Sequence, residues 1–128
     1  PMSSRDLPEK KQLLDFNKLV NTVEYPCLMH CKSGADRAGI ASVLYLIFKK
    51  NYSIIKASKQ LSFKFLHIKY SKTGILDYFF SELIKMGINN NKDFLKWINN
   101  DYNKNSLKSR FKVNTIVNFI IRLAFRRE

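Results

Sequence analysis

The stretch Pro26-Cys27-Leu28-Met29-His30-Cys31-Lys32-Ser33-Gly34-Ala35-Asp36-Arg37-Ala38-Gly39 decides how the rest of the chain is read. Pro26 opens a short apolar run with the form of a buried strand, over about 26–30, and the residues from Ala38 to Lys50 have the spacing of a helix. A strand, turn and helix in this order aim the turn's backbone N–H groups and the helix's positive end at one point, which makes an anion site. Cys31 lies at the floor of that turn, where dipoles and cations favour the thiolate, the nucleophilic form. Arg37 closes the turn with a planar fork matched to two phosphate oxygens.

These residues resemble the signature of the cysteine-dependent phosphatases, the protein tyrosine, dual-specificity and lipid phosphatases. The shared pattern is His-Cys, five residues and Arg, with one glycine inside the loop and another after the arginine, here His30, Cys31, Arg37, Gly34 and Gly39. From this chain's own composition the match has a chance of about 10⁻⁶ per cysteine. The resemblance implies an α/β fold, of which this chain is the mostly helical C-terminal part, with one strand at about 26–30 and the upstream strands of the sheet missing. It implies Cys31 as the nucleophile that forms a phosphocysteine, Arg37 as the phosphate clamp and His30 as the neighbour that holds the loop. Lys32, Ser33, Gly34, Ala35, Ala38 and Gly39 complete the implied substrate-binding loop, and no metal or other cofactor enters the chemistry. Lys32 resembles the lysine found there in lipid phosphatases that take multiply charged inositol headgroups. The implied substrates are therefore phosphotyrosine or other phosphoprotein, or a phosphoinositide or inositol phosphate. Ala38 departs from the pattern, since the family has Ser or Thr after the arginine, a hydroxyl that helps the thiolate leave when the intermediate is hydrolysed.

Transfer of phosphate to Cys31 needs a proton for the leaving oxygen. Asp36, directly before the arginine, is one candidate acid, and myotubularin-like and Sac-type phosphoinositide phosphatases resemble this chain in having Asp-Arg at that place. Asp6 is the alternative acid, lying upstream where the family's acid loop belongs, although a role as helix N-cap also accounts for it.

A chain of 128 residues has the length of one domain, taken here as 1–128 and expected to be truncated at its N-terminus because no strand-like run precedes Pro26. The formal net charge of +13, from 23 Lys and Arg against 10 Asp and Glu, attracts phosphorylated or otherwise anionic partners. Two other functions fit these residues: a phosphate-binding interaction module without turnover, and an RNA-end phosphatase or RNA binder. The charge suggests the RNA reading, but the aromatics fall on helix faces and are not set out for base stacking. Cys27 and Cys31, four apart in an extended run, are separated by roughly 13 Å, too far for a disulfide. Both are read as reduced thiols in a cytoplasmic protein, with Cys27 in the core.

The remaining sequence reads as helices. Asp6-Leu7-Pro8-Glu9 has the form of a start for a helix to about Val23, with Leu13, Phe16, Leu19, Val20 and Val23 on one stripe. Ser53 caps a helix over Ile54–Leu61, and the run Leu61–Tyr70 is irregular, its alternation changing parity midway. A helix from Thr73 to Met86 ends at Gly87, and a shorter one over Lys92–Ile98 has Asn91 as cap and Trp97 inward. Residues Asn99–Ser109 read as polar connector. The last helix, Thr115–Arg127, carries Ile116, Phe119, Ile120, Leu123 and Phe125 with Arg122, Arg126 and Arg127, a pattern for core packing or for contact with a membrane surface.

Overall fold

Apolar residues recur at helical spacing along most of this sequence, whereas its one strand-like run has no second strand to pair with. The computed structural model describes residues 2–67, 69 and 72–125. These form α1 (Lys10–Thr22), α2 (Asp36–Phe48), α3 (Ile54–Ser58), α4 (Ile75–Lys85), α5 (Asn91–Asn100) and α6 (Lys104–Phe125), with 3₁₀ turns at Phe63–Phe65 and Lys72–Gly74. No strand occurs among the described residues, so the expected α/β architecture with a strand at 26–30 is corrected to an all-α one. The run 26–30 lies on the surface, with Cys27 exposed and Leu28 86% accessible. The physical reason is the missing neighbour. A strand is completed by another strand's N–H and C=O groups, and none of Cys27, Leu28, Met29 and His30 shares a backbone hydrogen bond with another described residue. Cys27, expected in the core, therefore meets solvent.

The core is built around α2, whose Ile40, Val43, Leu44, Ile47 and Phe48 are buried. It packs against α1 and α3, while α4 packs against α3 and α6, and α1 against α5. Phe79 of α4 stands at the middle of an aromatic cluster, with ring centroids 5.1 Å from Phe80, 6.1 Å from Phe94, 6.0 Å from Trp97 and 5.8 Å from Tyr102. Edge-to-face pairs of this kind add about 1 kcal/mol each beyond the area they bury.

Helix ends follow local chemistry. Ser53 caps α3 through Oγ, which accepts from the Lys56 N–H at 3.2 Å, but α3 stops at Ser58, short of Leu61. At the end of α4, Gly87 takes φ +78 and its N–H bonds the Ile84 carbonyl at 3.0 Å, the left-handed stop expected of it. The cap of α5 is Asn90, one residue before the expected Asn91, and Asn90 Oδ1 accepts from Asp93 N–H at 2.8 Å. Asp6 is not the cap of α1. Glu9 holds that place, its N–H bonded to Gln12 Oε1 at 2.8 Å. The polar connector expected over 99–109 is mostly helix. Leu107 is buried against the core, and Asn103 Oδ1 caps the new start by accepting from Ser106 N–H at 2.9 Å. Phe111 packs on Tyr78 at 5.3 Å, beyond which Ile116, Phe119, Ile120 and Leu123 of α6 are all at least half exposed. Arg126 and Arg127, read as part of this helix, lie outside the described residues, as do Ile68 and Tyr70 of the irregular run. Among the described residues no helix is long and apolar enough to cross a membrane.

Of the four glycines, Gly74 has the tightest surroundings. A Cβ added there would stand 2.0 Å from the Lys69 carbonyl oxygen. Gly74→Ala is expected to push the Lys69 carbonyl away from the start of α4, lowering stability by about 2 kcal/mol. Urea unfolding followed by circular dichroism measures this, and an unchanged midpoint would contradict it.

Candidate active site

Gly34 has φ +73, in the left-handed region that glycine enters without strain. The chain turns there so that the Gly34 N–H donates to Cys31 Sγ at 3.2 Å. The backbone of Ser33 and Ala38 also favours charge on the same sulfur, and Ala38 belongs to the first turn of α2, so Cys31 sits at a helix N-terminus. Partial burial disfavours the thiolate, but the N–H groups of Ala38, Ser33 and Gly34, with the Arg37 guanidinium, outweigh it and hold the thiol below its ordinary value.

Ala35 caps α2 and is buried, its carbonyl accepting from Gly39 N–H at 2.7 Å. Gly39 lets α2 come down on the connector, since a Cβ there would meet Leu61 Cδ2 at 3.0 Å. Cys31 and Arg37 open on a cleft of about 850 Å³. Lys32, His30, Leu28, Met29, Ala38 and Ala41 line it on one part, and Met2, Gln12, Asp15, Phe16 and Leu19 on another. The lining thus joins the cations Lys32 and Arg37 to the apolar Phe16, Leu19, Leu28 and Met29. Ser33 and Gly34 are exposed at the loop's outer edge.

The two candidate acids have different surroundings. Asp6 is not among the residues lining this cleft. It pairs with Lys104 at 3.1 Å and Lys108 at 3.0 Å, and accepts from Leu7 N–H at 2.9 Å, in a separate polar hollow. Burial works against its charged form, but those lysines and the Leu7 N–H leave its carboxyl below the usual value. Asp36, the first residue of α2, has Oδ1 2.8 Å from Nδ1 of His67, whose side chain is only 1% accessible. The other ring nitrogen, Nε2, lies 2.5 Å from Oδ2 of Asp77 in the first turn of α4. A neutral imidazole has one N–H and a carboxylate only accepts, so both bonds are made together by the imidazolium. Burial favours neutral His67, yet the carboxylates of Asp77 and Asp36 outweigh it and raise its pKa above the ordinary 6.5. A raised histidine pKa gives stability that is fully present below pH 6.5 and is lost as pH rises through the folded value.

His67 is held from behind as well. Leu66 takes φ +61, a left-handed conformation costing a leucine about 1–2 kcal/mol. The reversal brings His67 N–H to the Ser62 carbonyl at 3.1 Å.

Sequence reasoning missed His67, Asp77 and the cleft-lining Asp15. A signal for His67 was present: the chain has two histidines, one inside the signature and the other in the largely apolar run Phe65-Leu66-His67-Ile68. A histidine there needs polar partners if buried. Asp77 and Asp15 offered none beyond their places on amphipathic helices. Comparison with protein-family models, curated proteins and solved structures finds no match to this chain.

Proposed function

We propose that this chain is a cysteine-dependent phosphatase acting on phosphomonoesters of proteins or phosphoinositides. Cys31 Sγ attacks phosphorus, the bond to the leaving oxygen breaks and that oxygen takes up a proton. Water then attacks the phosphocysteine, releasing inorganic phosphate and returning the thiolate. The observation carrying this reading is the sulfur itself, set at a helix N-terminus and lining an open cleft, bonded by the Gly34 N–H at 3.2 Å and with its thiol held below its ordinary value. Hydrolysis of an aryl phosphate by the purified chain, lost on alkylation of Cys31, is the test.

A second reading, a phosphate-binding module without turnover, is favoured by two details. Ala38 lines the cleft where a hydroxyl would assist the departing thiolate, and the Asp36 carboxylate is engaged by His67. Ala38→Thr separates the two. By adding one hydrogen bond to the leaving sulfur it is expected to speed phosphate release on the order of tenfold, with little change in the first step. Rapid-quench measurement of burst and steady-state phases reads both, and a steady-state rate left unchanged by the hydroxyl counts against the two-step mechanism.

The exposed stripe Ile116, Phe119, Ile120 and Leu123 recurs at helical spacing beside Lys112 and Arg122, on a chain of net charge +13. It supports peripheral contact with an anionic membrane surface. Phe119→Asp should abolish co-sedimentation with phosphatidylserine vesicles without altering thermal stability. Undiminished binding would remove the stripe from the account.

A further inference from the structure

We propose that His67 is a positioning residue, clamping the first turn of α2 to the first turn of α4 so that the Ala38 N–H and Arg37 stay directed at Cys31. The inference rests on the phosphatase reading for its purpose, but its geometry stands by itself. Asp36 faces inward to Nδ1 of His67 at 2.8 Å, while Arg37, the next residue, is exposed in the cleft, and Ala38 lines the same cleft beside Cys31. The residue bonded to His67 thus directly precedes the two that face the cleft. If Asp36 is released, the first turn of α2 can rotate or fray, and the cation and the N–H move with it.

The clamp is interdependent. His67 stands between two helix N-termini, whose dipoles disfavour a cation, so it is charged there only because Asp36 and Asp77 both face it. Among the described residues these are the charged groups that meet the ring. Lys64, Lys69 and Lys72 on its own connector are exposed, and Lys64 lies over the Phe65 ring. When His67 loses its proton, one of the two carboxylates faces a lone pair in place of an N–H donor. That bond then opposes closure of the loop.

The consequence is a second pH dependence beside the thiolate's own. Ionisation of Cys31 raises reactivity as pH rises, whereas deprotonation of His67 loosens the loop and weakens anion binding on the alkaline side. Positioning of this kind is expected to change the sulfur's surroundings without touching the substrate.

The test uses the Cys27→Ser chain, so that Cys31 is the one thiol, with iodoacetamide as probe and inorganic phosphate as protecting anion. In His67→Gln, alkylation at pH 6 should slow about tenfold as the thiol returns toward its ordinary value, and phosphate should protect at least tenfold less well. Asp77→Asn, far along the clamp from the sulfur, should move both readouts the same way. A folded His67→Gln chain with the parental alkylation profile and phosphate protection would overturn the proposal.

Should His67→Gln fail to fold, the parental chain still decides. Its imidazole titration, followed by NMR, should coincide with shifts of the Gly34 and Ala38 amides and with loss of phosphate protection. His67 titrating with those amides unmoved would overturn the clamp. Neither readout requires turnover. A chain that hydrolyses no phosphomonoester would defeat the enzymatic reading and leave these profiles to be judged separately.

Discussion

Cys31→Ser is expected to reduce hydrolysis of phosphomonoesters by on the order of 10⁴-fold or more, because a serine hydroxyl is far from its pKa in a loop whose dipoles favour a thiolate. Binding of phosphate or vanadate should survive, since the donors of Ser33, Gly34 and Ala38 and the Arg37 guanidinium are untouched. Arg37→Lys should lose binding as well as rate. A lysine keeps the charge but cannot make two parallel hydrogen bonds to one phosphate. Steady-state hydrolysis of an aryl phosphate, with vanadate affinity measured by titration calorimetry, separates the two variants. Full activity in Cys31→Ser would end the proposed mechanism.

Asp36 is where the structure changes what an experiment should give. Asp36→Ala removes the acceptor opposite His67 and should lower rates by about 10- to 100-fold on aryl and alkyl phosphates alike, the cost of a misplaced loop. Asp36→Asn keeps an oxygen facing His67 and removes the titratable proton. If the carboxylate's role is the bond to His67, the asparagine variant, which removes one of the two charges that keep His67 protonated, should lose to a similar extent on both substrates. If Asp36 is the acid, that variant should lose about 100-fold on an alkyl phosphate with a poor leaving group and much less on an aryl phosphate. Asp6→Asn should do little in either case, because Asp6 stands with Lys104 and Lys108 away from the cleft. Asp15→Asn completes the set, since Asp15 is the carboxylate among the cleft's lining residues.

Where local chemistry decides an element, the sequence was readable. Ser53 as a cap, Gly87 as a stop, Trp97 facing inward and the buried face of α2 all depend on neighbours within a turn or two. The strand at 26–30 was misread because a short apolar run looks alike whether it is buried or merely near the core edge, and its fate rests on a partner strand elsewhere in the chain. The early start of α6 was hidden for a similar reason: a single buried Leu107 among polar residues anchors the helix, which no periodicity reveals. At the candidate site the turn after Cys31 and the helix beyond it were legible, although α2 starts at Asp36, two residues before the expected Ala38, and takes Asp36 and Arg37 into its first turn. The His67 clamp was not, because its three members come from the connector and from α2 and α4, and only packing brings them together.

The surface course of Cys27–His30 also bears on how copies of this chain behave toward one another. Its backbone donors and acceptors are unclaimed by any described residue, and Leu28 beside them is largely bare, so the segment is an adhesive edge of the sort that natural proteins guard. The guard here is long-range repulsion between molecules each carrying a formal +13. That protection has a reach of about 10 Å at 0.1 M salt and about 3 Å at 1 M. Colloidal stability should therefore fall as ionic strength rises, and concentrated stocks keep best in dilute buffer.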